Sequence, residues 1–159
     1  MPITAIRPKP ADPGPGSAEV VAEALGLSEG KGSIITNDLE LVEAVRDGLP
    51  VNLIARAVSA GLLSPSEVDR LIIPRRTLSH RLRDHEGRLS KTESDHLTRV
   101  IRAISLATET LGTAEKSHRW LRKSNKALGG GAPLDLLDTD GGARLVEQVL
   151  GRIAYGVYE

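Results

Sequence analysis

The 159-residue chain has no cysteine and no phenylalanine, one tryptophan, two tyrosines and one methionine. Without cysteine there is no disulfide framework and no thiolate metal site. With so few aromatics, a core has to be built from Leu, Ile, Val and Ala, which suits helix packing better than broad strand layers. No stretch approaches the roughly 18–20 uninterrupted apolar residues that a membrane span needs. The opening segment, MPITAIRPKPADPGPG, has too many prolines and too short an apolar run for a signal peptide. The expectation is a soluble, cytoplasmic, all-α protein with no membrane association, either one domain or two small ones sharing a core.

Net charge is absent as well, but the zero conceals a segregation. Residues 1–69 hold 5 Lys and Arg against 10 Asp and Glu, a net of −5; residues 70–126 hold 14 against 6, a net of +8; residues 127–159 hold 2 against 5, a net of −3. A basic middle third attracts polyanions even in a neutral chain, although solvated helix faces produce the same composition.

Five of the nine prolines fall in the first 15 residues and predict an extended or disordered leader. Val20, Val21, Ala24 and Leu25 form a stripe for a short helix over 18–27, and residues 33–36 suit a brief extended segment. Beyond that the punctuation is helical. Asn37 with Glu40 caps a helix that Gly48 stops, and Pro50 opens another with the face Val51, Ile54, Ala55 and Val58. Ser64-Pro65-Ser66-Glu67 is a capping box with proline in the first turn, followed by inward Val68, Leu71 and Ile72. Pro74 then starts a basic helix anchored by Leu78 and Leu82 and ended by Gly87. A second capping box, Ser90 with Glu93, opens the longest helix, whose stripe is Leu97, Val100, Ile101, Ile104, Ala107, Thr108 and Leu111. That stripe suits either a dimer seam or internal core. Thr113 caps a helix predicted to run from Ala114 to Leu128. Pro133 begins a short turn, and Asp138 or Thr139 caps a last helix bearing Leu145, Val146, Val149, Leu150 and Ile153.

Catalytic signatures are missing. His80, His85, His96 and His118 make no metal-binding pair, Gly129–Gly131 lacks the lysine of a phosphate loop, and Asp135, Asp138 and Asp140 lack the closing glutamate of a calcium loop. No enzyme and no cofactor or metal site is expected. What the spacing does outline is a helix-turn-helix, with Ser64–Ile72 as its first helix and Arg75–Asp84 as its recognition helix. Arg75, Arg76, Thr77, Ser79, His80 and Arg83 are the candidates for base and phosphate contact; a solvated basic helix fits the same spacing equally well. Trp120 is a core anchor or an interface anchor, and Tyr155 and Tyr158 pose the same choice.

From about residue 37 onward the chain resembles the Xre/MbcA/ParS-type antitoxins, partners of RES-domain toxins. The resemblance is carried by IPRRTLSHRL at 73–82, LSKTESDHLTRVIRAI at 89–104 and HRWLRKSNKALGGGAPLDLLDTDGGARLVEQVLGRIAYGVY at 118–158. The last block is the most specific, with Trp120, Asn125, Gly129, Pro133, Gly142, Val146 and Tyr155-Gly156 in place. The proline-rich leader over 1–36, with its short helix, lies outside the resemblance, which implies a helix-turn-helix domain over 37–88 and a toxin-binding helical domain over 89–159. It further implies a homodimer that binds operator DNA, represses its own operon and neutralises an NAD-degrading RES toxin. On that footing Tyr155, Gly156, Tyr158 and Glu159 would reach the toxin's NAD pocket, with Trp120, Pro133, Leu136 and Leu137 shaping or supporting the surface. A helix-turn-helix transcription regulator without a toxin partner is the alternative.

Overall fold

The computed structural model describes residues 17–27, 35–84 and 87–156. The proline-rich leader, half of the 33–36 segment, His85, Tyr158 and Glu159 lie outside the described residues. Among the described residues eight helices follow one another: α1 Ser17–Ala24, α2 Asp38–Asp47, α3 Asn52–Ser59, α4 Pro65–Leu71, α5 Arg75–Leu82, α6 Lys91–Leu111, α7 Ala114–Arg122 and α8 Asp140–Ala154, with 3₁₀ turns at Lys126–Leu128 and Pro133–Asp138. The described residues include no strand, only an isolated antiparallel bridge between Pro50 and Arg88. No helix among them is long and apolar enough to cross a membrane.

Local chemistry starts most of these helices where the sequence places them. Asn37 accepts from the Glu40 amide at 3.0 Å, and the Glu40 carboxylate turns back to accept from the Thr36 amide and hydroxyl. Ser64 and Ser90 each form a complete capping box, and Thr113 and Thr139 cap α7 and α8 through their side chains. Of the two candidates for the last cap, Thr139 is the one used.

The stripe of α6 is internal core. Leu97, Val100, Ile101, Ala103 and Ala107 are completely buried, and α1, α2, α4, α7, α8 and the 133–138 turn all pack against this helix. The dimer-seam alternative is thereby removed, because the chain covers the stripe itself. Buried side chains on both sides of residue 88 join one continuous aliphatic cluster, from Val21 and Leu25 through Leu71 and Ile73 to Leu137 and Leu150.

Four details depart from the sequence reading. Helix α7 ends at Arg122 instead of Leu128. There Ser124 donates to the Gly130 carbonyl at 2.6 Å, and Asn125 caps the next turn and exchanges backbone bonds with Gly130 and Gly131. Side-chain polar groups that close a loop in this way compete with the helical ladder. Pro50 pairs with Arg88 outside the helix, so α3 starts at Asn52 and buries Leu53, Ile54 and Ala57 while Ala55 faces solvent. Leu82 is 48% exposed and Leu78 half-buried, because the short α5 packs chiefly against α4; α5 also ends before Gly87. Leu145 stays 50% exposed on the outer face of α8.

Helix α8 sits close against the 133–138 turn because Gly142 has no side chain. A Cβ there would strike the Leu136 carbonyl, whereas one on neighbouring Gly141 would meet nothing within 4 Å. Gly142→Ala is therefore expected to destabilise by about 1–3 kcal/mol through overpacking. Gly141→Ala is expected to stabilise by about 0.4–1 kcal/mol by restricting the unfolded chain. Urea unfolding of the two variants against the parent measures both signs.

Candidate DNA-reading surface and C-terminal partner surface

Helices α4 and α5 are joined by Ile72-Ile73-Pro74, with Ile72 and Ile73 buried and Pro74 in an extended conformation that forces the chain to turn. The first amide of α5, on Arg75, donates to the Asp69 carboxylate at 2.5 Å, so α4 supplies an anionic cap to the positive end of α5. This geometry leaves Arg75, Arg76, Ser79, His80 and Arg83 lining a single shallow, open concavity together with Asp69 and Pro74. Among the described residues no carboxylate pairs with the side chains of Arg75, Arg76 or Arg83. Thr77 is half-buried and lies outside that concavity. Five of the six candidate DNA contacts thus share one solvent face.

Both helices are held by ion pairs that sequence spacing does not disclose. Arg122 of α7 takes Glu67 in a bidentate grip, Nε to Oε1 at 2.7 Å and Nη2 to Oε2 at 2.8 Å, and also donates to the Leu62 carbonyl at 3.2 Å. Arg81 of α5 pairs with Glu93, and Arg70 of α4 with Asp135. Glu67 and Glu93 are the very residues that complete the two capping boxes. The boxes were legible; their arginine partners were not, since no local spacing encodes a contact between α4 and α7. Burial pushes the Glu67 carboxyl up, but the Arg122 and Ser64 hydrogen bonds and the Arg122 charge outweigh it and hold the group below its ordinary value of 4.5. For Glu93, burial is likewise outweighed by Arg81 and Ser90.

At the other end, Pro133 and Leu137 are buried beneath the surface, and Leu136 and Trp120 are half-buried against the core. These four are placed to support a surface more than to form one. Tyr155, by contrast, is 87% exposed just past α8, and Gly156 turns the chain with φ 68°. Among the described residues Leu150 is the last fully buried one, and Tyr155 stands clear of the core.

Residues 40–102 match the family model for the antitoxin Xre-like helix-turn-helix domain, and residues 106–156 that for the antitoxin Xre/MbcA/ParS C-terminal toxin-binding domain. A Pseudomonas putida protein named antitoxin Xre is 34% identical over 122 residues, 77% of this chain and 76% of its own. The chain belongs to the Xre antitoxin family. Two further antitoxins Xre, from Yersinia enterocolitica and Photorhabdus laumondii, are 30% and 27% identical over 84% and 71% of this chain and 87% and 77% of theirs. The boundary between the two family regions falls within α6, the helix that both halves of this antitoxin pack against.

The lowered carboxyls of Glu67 and Glu93 fix the sign of an acid dependence. Each contributes stability that is complete above the unfolded value near 4.5 and is lost as pH falls through the lower folded value. Unfolding free energy is expected to fall as pH drops below about 5 by this linkage. Glu67→Gln should flatten that acid limb and cost about 1–3 kcal/mol at pH 7 by leaving Arg122 without its charged partner. Chemical denaturation between pH 3 and 7 measures both effects.

Proposed function

We propose that this antitoxin reads operator DNA with α5 and silences a RES-domain toxin that degrades NAD, using its C-terminal segment as the blocker. The observation that carries the second half is the exposure of Tyr155 at the end of a helix whose other face is buried. Tyr155, Gly156, Tyr158 and Glu159 offer two aromatic rings and a carboxylate on a narrow tail, the chemistry that fills a nucleotide cleft and meets its cationic groups. Trp120, Pro133, Leu136 and Leu137 pack in or against the core that carries α8, the helix from which that tail leaves. On the DNA side, Arg75, Arg76, Ser79, His80 and Arg83 present guanidinium, imidazole and hydroxyl groups on one face, with Thr77 at its margin. Arginine forks suit guanine edges and phosphates alike. A homodimer would set two such faces about one helical turn apart and match a palindromic operator, giving repression of the antitoxin's own operon.

Co-expression with the adjacent RES-domain reading frame tests the neutralisation. The full chain should restore growth and cellular NAD, and a chain lacking residues 155–159 should restore neither while keeping its helical circular dichroism and melting temperature. Neutralisation by the shortened chain would reject the tail as blocker. In gel-shift titrations on the duplex upstream of the gene, Arg76→Ala should weaken binding ten-fold or more, the effect of losing a bidentate base contact worth about 1–3 kcal/mol.

A further inference from the structure

Positive charge extends well beyond α5. Residues 114–126 hold Lys116, Arg119, Arg122, Lys123 and Lys126 against the single acid Glu115. Arg119 is paired with Glu115 and Arg122 with Glu67. Lys116, Lys123 and Lys126 are exposed, and no carboxylate among the described residues pairs with them. The position of this charge is what gives it meaning. Arg122 reaches Glu67 in the first turn of α4 and the Leu62 carbonyl just before it, so the end of α7 is pinned against the leading end of the helix-turn-helix. His118, one turn earlier on α7, is exposed, and its main-chain carbonyl accepts from Arg122 at 3.2 Å. When a helix-turn-helix docks, its first helix crosses the sugar–phosphate backbone, and phosphates are gripped by side chains and amides around that helix's start.

We propose that the end of α7 is a second DNA contact, in which Lys123 and Lys126, flanked by His118, clamp the phosphate backbone beside the bases that α5 reads. The ligand is duplex backbone of any sequence: lysine is a point charge that neutralises phosphate without reading bases. The Arg122–Glu67 pair does not touch the DNA; it fixes the clamp at a set distance from α4. The clamp rests on the DNA-reading role proposed for α5, and it gives the region matching the toxin-binding family model a share in DNA binding.

Fluorescence-anisotropy titrations of the full chain test it, using the duplex upstream of its own gene and a scrambled duplex of equal length across a salt series. In the Lys123→Ala/Lys126→Ala variant the slope of log K against log salt should shrink by about 2 per protomer, roughly 0.9 for each lost phosphate contact. Both duplexes should weaken by the same factor, about ten-fold or more at low salt, with the upstream-to-scrambled preference kept. Because both lysines are exposed, the melting temperature should not move. Arg76→Ala should instead erode the preference. An unchanged slope and affinity in the lysine variant, beside a lost preference in Arg76→Ala, overturns the clamp alone. Intact binding in Arg76→Ala overturns the α5 reading and the clamp with it. A lysine variant that binds DNA normally but fails to neutralise the toxin assigns this face to the protein partner, which also overturns the clamp.

Discussion

The burial of α6 is the constraint on which the rest of the molecule depends. A chain without phenylalanine and with a single tryptophan has few large flat side chains to fill a core from a few positions, so it surrounds one long amphipathic helix with short ones. Ala103 and Ala107 are small enough to let neighbouring backbones come close, while Leu97, Val100 and Ile101 supply the apolar area. Because helices from both ends of the chain share that wall, the helix-turn-helix and the C-terminal region form one packed body. Any homodimer has to use a surface other than this stripe.

On that core the polar contacts do a different kind of work. Three arginine–carboxylate pairs, Arg122–Glu67, Arg81–Glu93 and Arg70–Asp135, tie α4 and α5 to α6, α7 and the 133–138 turn. Two of the acids already cap helix starts, so each serves the local and the tertiary structure together. Arg70 and Asp135 are both half-exposed, and solvent leaves such a pair little net stability. The Arg122–Glu67 pair is better shielded and bidentate, which makes it the firmest polar link between the DNA-facing and partner-facing ends. Leaving Arg75, Arg76 and Arg83 outside these pairs keeps their charge available to a polyanion.

Helix starts were readable from the sequence because their chemistry is local. Asn37, Ser64, Ser90, Thr113 and Thr139 each bond the amide three residues ahead, a relation that a linear pattern contains. The α6 stripe was readable for the same reason, since a 21-residue helix repeats its period often enough to be unmistakable. Short helices repeat it barely twice, and there the faces were misjudged: Ala55 and Leu82 point outward, and Leu53 and Ala57 point in. The end of α7 was misplaced because Ser124 and Asn125 found partners in the following glycine loop, a competition that periodicity does not express.

The sequence by itself determined the helical class, the order of elements and the basic α5, since composition, period and capping are properties of neighbours along the chain. Its motif blocks also placed the chain in its family. Only the tertiary structure decided which arginines stay outside ion pairs and which are consumed internally. Arg75, Arg76 and Arg83 are chemically the same as Arg81 and Arg122, and what separates them is whether a carboxylate from another helix reaches them. Arg122 meets one 55 residues away. Such a meeting depends on how helices pack across space, and spacing along the chain carries no record of it.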